Sequence, residues 1–136
     1  MAENGYQAAQ ELLTRKCNFT ALIAFNDASA IGAIRALSDA SLCVPKDVSV
    51  IGFDDIPQSS FTVPRMTTIR QPLSSMGELA ATVLLEKIAG KVGPKLLRIQ
   101  PELVIRETTA ICPSPPRRKS RSPKSNRRTG LSRRAT

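Results

Sequence analysis

The chain of 136 residues contains no histidine and no tryptophan. The missing histidine excludes Ser-His-Asp triads, HExxH zinc sites and Cys/His fingers. Cysteine is scarce: Cys17, Cys43 and Cys112 are odd in number and widely spaced, with no C-x-x-C pair. That pattern does not build a disulfide framework and suits a reducing compartment, with the thiols expected to be inert, buried small hydrophobes. The first residues, MAENGYQAAQELL, show no basic stretch followed by an apolar one, so no signal peptide is expected. Apolar runs stay far short of the ~18–20 residues that cross a bilayer.

Charge is unevenly distributed. Residues 1–112 hold 11 basic and all 11 acidic residues, whereas residues 113–136 hold nine basic residues and no acid. The net charge of +9 therefore belongs to a tail. It does not describe a basic domain. The neutral part is long enough for one modest core. From residue 113 Ser, Pro, Arg and Lys dominate, a composition expected to be disordered because it cannot offset its chain entropy. Two units follow: a globular 1–112 and a basic tail 113–136.

Within the globular unit, Ala8, Ala9, Leu12 and Leu13 form a helical stripe over 6–16. Residues 20–25 are a short apolar run, expected to be a strand buried on both faces. Asn26-Asp27 breaks it and Asp27 can cap the Ala-rich helix over 28–38. A second apolar run at 48–53 ends in Asp54-Asp55. Strand, helix and strand of these lengths make a βαβ unit with parallel strands and a right-handed crossover. Residues 56–66 read as loop and Thr67–Arg70 as β-prone. Gln71-Pro72 opens the longest helix, about 73–89, with Met76, Ala80, Val83, Leu84 and Ile88 on one face and a capping-box spacing at Ser75 and Glu78. Residues 96–106 read as a β segment interrupted at Pro101.

Both strands of the βαβ unit end in polar doublets, and open α/β sheets bind ligands outside the carboxyl ends of their strands. An amide beside carboxylates offers donors and acceptors, a set suited to a polyhydroxylated or amide-bearing ligand. One residue of each doublet can instead serve only as a cap. Asp27 and Asp55 fit that role better, while periodicity leaves Asn26 and Asp54 open between the two. Acid–base catalysis and Mg²⁺ binding gain no support: there is no further acidic cluster, no glycine-rich phosphate loop and no activated nucleophile. No cofactor or metal is implied, and the chain is not expected to be an enzyme. Gly52 reads as a close-packing position in a strand.

Three strings together carry a resemblance: Ala24-Phe25-Asn26-Asp27 before an Ala-rich helix, Val44 through Asp55 (VPKDVSVIGFDD), and Pro64 through Pro72 (PRMTTIRQP). With the terminal Leu103 to Thr109 segment (LVIRETT), the chain resembles the LacI/GalR family of bacterial transcriptional regulators over about residues 5–109. The resemblance implies an α/β, periplasmic-binding-protein-like type I fold, here mostly the C-terminal sensor subdomain with its parallel sheet and flanking helices. It implies a cytoplasmic repressor that senses a small, sugar-like effector as a homodimer. Operator DNA would be read by a helix-turn-helix headpiece lying, with most of the first sensor subdomain, upstream of Met1. Asn26 and Asp54 match positions that usually hydrogen-bond the effector, and Gln71 a position near the subdomain crossover that sometimes reaches it. The helix at 28–38 and the loop at 56–63 match regions that often form the dimer interface. Ser41 stands where the family commonly has Gly, and Met66 where it commonly has Leu. The apolar face of helix 73–89 should be partly uncovered, and this chain alone should bind sugar weakly or not at all. Two alternatives belong to other classes. A transport-type sugar-binding protein would need a leader or lipoprotein cysteine. Non-specific nucleic-acid binding would use the nine cations of the tail, which lack interleaved aromatics for base stacking.

Overall fold

The computed structural model describes residues 1–92 and 96–112. The element order is α1 (Ala2–Thr14), β1 (Ala21–Ile23), α2 (Asp27–Asp39), β2 (Ser49–Asp54), a short 3₁₀ turn (Pro57–Ser60), β3 (Thr67–Arg70), α3 (Leu73–Ile88) and β4 (Glu102–Val104). The expected tail, 113–136, lies outside the described residues.

The four strands form one sheet in the order β1-β2-β3-β4. β1 and β2 run parallel with Ile23 opposite Ile51, as a βαβ unit requires, and β2 and β3 run parallel with Asp54 opposite Arg70. β4 returns antiparallel to β3, pairing Leu103 with Ile69. The mixed sheet with flanking helices is the α/β architecture that the alternation of apolar runs and helical stripes implies.

One face of the sheet holds the core. Ala30 and Leu37 of α2 pack there with Val48, Val50 and Met66. Ala9, Ala33 and Ala36 form a second layer between α1 and α2. Two glycines bring these helices together. A Cβ on Gly32 would stand 1.9 Å from the Ala2 carbonyl oxygen, and one on Gly5 would stand 2.1 Å from that of Ser29. α1 starts at Ala2, four residues before the expected Tyr6, and this first turn lies in the contact. Gly5 has poor helix propensity, but it is the residue the crossing requires. Ser41, just beyond α2, adopts φ 60, the left-handed conformation that ends many helices and that glycine takes at least strain.

Several expectations are corrected. The run 20–25 is not buried on both faces: Leu22 and Ala24 are half-buried, but Ile23 is 80% and Phe25 89% exposed. β1 is an end strand, and only its helix-covered face is occupied among the described residues. Cys17, Cys43 and Cys112 are exposed, not buried. The capping box fails to form. Pro72 occupies the N-cap of α3, no side chain caps it, and Ser74 rather than Ser75 reaches Glu78, at 3.2 Å. The β segment 96–106 contracts to Glu102–Val104. α3 buries no residue, with Leu84 and Ile88 well exposed, as its uncovered face predicted.

Candidate functional site

The three parallel strands end on the same side, and their ends carry the polar doublets. The β1–β2 register, carried three residues past Ile23 and Ile51, sets Asn26 level with Asp54. Gln71 follows Arg70, the partner of Asp54 across β2 and β3. The sheet thus lines up Asn26, Asp54 and Gln71 along one edge, and all three are half-buried.

Their local bonds differ. Asn26 is the N-cap of α2: its Oδ1 accepts from Ser29 N–H at 2.9 Å, while its Nδ2 faces the Met1 thioether at 3.7 Å. Capping occupies the acceptor, one amide N–H donates weakly to the Met1 sulfur, and the second amide N–H is left for other work. Asp54 accepts from Gln71 Nε2 at 2.7 Å. Its φ of 110, followed by 57 at Asp55, places two consecutive non-glycine residues in sparsely populated backbone regions. The strand is therefore turned sharply where its carboxylates are presented. An amide donor, a carboxylate and a second amide along one edge can hydrogen-bond adjacent hydroxyls of a small ligand.

Asp27 and Asp55 are both structural, but neither is the simple cap expected. Asn26 caps the helix; Asp27 follows it and is fully buried. Its Oδ2 accepts from Ile56 N–H at 2.9 Å and Ser59 Oγ–H at 2.5 Å, and its Oδ1 from Thr68 Oγ1–H at 2.5 Å. Gly52 makes room: a Cβ there would lie 2.1 Å from Asp27 Oδ1. The close-packing reading of Gly52 was right, and the group that packs against it is a carboxylate.

Asp55 sits between two guanidinium groups, Arg106 Nη2 at 2.6 Å and Arg70 Nε at 2.7 Å. Arg70 also reaches Glu102 at 3.1 Å, and Arg106 donates to the Met66 carbonyl at 2.8 Å. Burial pushes the Asp55 carboxyl up, but the hydrogen bonds and charges of Arg106 and Arg70 outweigh it and hold its pKa below the ordinary carboxylate value. The clamp fastens the β4 side of the sheet beside Asp54. Sequence spacing gave no sign of it, since Asp55 and Arg106 are 51 residues apart.

Comparison with known proteins agrees with this architecture. Residues 1–109 match the model of the periplasmic binding protein-like domain. The HTH-type transcriptional regulator MalR of Streptomyces coelicolor is 47% identical over 112 residues, covering 82% of this chain and 32% of its own. A lac repressor dimer bound to operator and the anti-inducer ONPF superposes with a TM-score of 0.74 at 36% identity, over 81% of this chain and 38% of that one. The chain belongs to the periplasmic binding protein-like family, as a LacI-type sensor segment. A LacI family regulator from Arthrobacter sp. FB24 in complex with lactose gives a TM-score of 0.70 at 32% identity, over 81% and 42%. This LacI-type chain spans about a third of the length of the curated relatives it matches. The matched span, residues 1–109, includes both doublets, the clamp and α3. Among the described residues, no helix is long and apolar enough to cross a membrane.

Proposed function

We propose that this chain is the effector-binding and dimerisation portion of a LacI-type transcriptional repressor. It takes a small sugar or related metabolite at Asn26, Asp54 and Gln71 and performs no chemistry on it. The observation that carries this reading is the alignment of those three side chains at the carboxyl ends of three adjacent parallel strands, the place where open α/β sheets bind ligands. The lactose-bound relative supports a sugar as the ligand class. Operator binding is assigned to a headpiece outside residues 1–136.

Self-association is assigned to α2 and the loop 56–63. Val63 is 95% and Phe61 84% exposed, and Val63 shares a cleft with Ile31 and Ile34 of α2. An apolar surface of this kind is what a two-fold interface between like subunits covers.

NMR titration of the chain with lactose tests the ligand edge. The expected result is weak, millimolar-range binding whose shifts centre on Asn26, Asp54 and Gln71 and disappear in Asp54→Ala. Shifts centred elsewhere, or shifts that survive the substitution, would reject the assignment.

A further inference from the structure

The ligand edge and the self-association loop are separate surfaces, yet one buried carboxylate touches the supports of both. Asn26 and Asp27 are consecutive, and both are fixed by the first turn of α2. The Asp27 carboxylate holds Ile56 N–H and Ser59 Oγ–H, which anchor the start of the loop carrying Phe61 and Val63. It also holds Thr68 of β3, the strand that leads to Gln71. Ser59 and Thr68, like Asp27, are fully buried, so water does not substitute for these bonds. Gly52 keeps the space under the carboxylate open. A displacement of Asn26 at the N-cap therefore has a direct mechanical route to residue 59 through one side chain.

We propose that Asp27 is a positioning residue that couples the ligand-facing edge at Asn26 to the self-association loop at 56–63 through its bonds to Ser59 and Thr68. This rests on the self-association reading above. Asp27 touches neither ligand nor partner. It sets where the loop stands relative to the edge, so a change at either end shifts the equilibrium at the other by the reciprocal linkage that defines allosteric coupling.

A double-mutant cycle on the full 136-residue chain tests it, with association constants from sedimentation equilibrium at a temperature where circular dichroism shows each variant folded. Asn26→Ala and Ser59→Ala are each expected to weaken association about tenfold, the effect of one lost hydrogen bond to a charged or capping group. The double variant is expected to be no weaker than either single one, because a broken latch transmits nothing further. Thr68→Val cuts the carboxylate's bond to β3 at constant shape and runs in parallel, so that one misfolded variant does not decide the result. A purely structural bond would lower the melting temperature and leave association of the folded chains unchanged; that outcome, or additive effects, overturns the coupling. Val63→Asp is the control for the reading beneath it. If the unsubstituted chain is monomeric throughout and Val63→Asp changes nothing, the self-association face itself is wrong and the coupling falls with it. If Val63→Asp dissociates a dimer that Ser59→Ala leaves intact, only the coupling is wrong.

Discussion

Helices α2 and α3 make an instructive pair. α3 is the longer and the more apolar of the two, yet it buries nothing, while α2 buries six of its thirteen residues. The difference lies in their neighbours. α2 lies on the sheet and against α1, so Ala30 and Leu37 meet Val48, Val50 and Met66 while Ala33 and Ala36 meet Ala9. α3 leaves the sheet after Pro72, and Leu73, Leu84 and Leu85 face outward. Apolar periodicity reports what a helix can bury, and tertiary placement decides whether it does. The same contrast divides the sheet, whose α2 face is closed while Ile23 and Phe25 stand open on the other.

The largest effect that separates the two helices is expected from Leu37→Ala. Leu37 is fully buried at the centre of the core, and deleting a buried leucine side chain typically destabilises by about 2–5 kcal/mol. Leu85→Ala in α3, where the side chain is mostly exposed, should change stability by less than about 0.5 kcal/mol. Chemical denaturation of both variants measures the gap. Equal losses would show that α3 is packed in solution.

What could be read from the sequence follows the same division. The parallel βαβ unit was legible because two continuous apolar runs flank an Ala-rich stripe, and the edge residues Asn26 and Asp54 were legible because both runs end in polar doublets. The burial of Ile23 and Phe25 was misjudged because a continuous apolar run does not say how many of its faces are covered. The Asp27 latch was not legible as such, since its partners Ser59 and Thr68 lie 32 and 41 residues away and carry no spacing rule. Gly52, a small residue inside an apolar strand, was the available signal that something approaches the backbone there. The division of labour within each doublet also depended on structure. Asn26 caps and Asp27 anchors, whereas Asp54 faces the edge and Asp55 is clamped.

An intermediate effect is expected at that clamp, and it depends on pH. The folded-state pKa of Asp55 is lowered, so its contribution to stability is complete above about pH 4, the unfolded carboxylate range, and is lost as pH falls through the lower folded value. Asp39, held down by Arg35 and Tyr6, and Glu107, held down by Arg65, act in the same direction at exposed sites. Arg106→Gln should lower stability at pH 7 by about 1–3 kcal/mol and flatten the loss between pH 5 and pH 2. Melting curves across that range check both. A variant with an unchanged acid limb would show that Arg70 alone holds Asp55 ionised, or that other carboxylates dominate.

The smallest effect on folding, and a distinct effect on solubility, is expected from the outward side of α3. Leu84 is 60% and Ile88 74% exposed, so replacing both with Gln removes apolar surface that the folded chain already shows to water. Each change should stay within about 0.5 kcal/mol, because Gln has nearly the helix propensity of Leu and exceeds that of Ile. An uncovered apolar face invites association. The double variant should therefore scatter less light at high concentration than the unsubstituted chain, with the same denaturation midpoint. A lowered midpoint would mean that these side chains contact another part of the chain in solution. In that case α2 and α3 would differ in degree of packing, and the contrast between a closed and an open helix would fail.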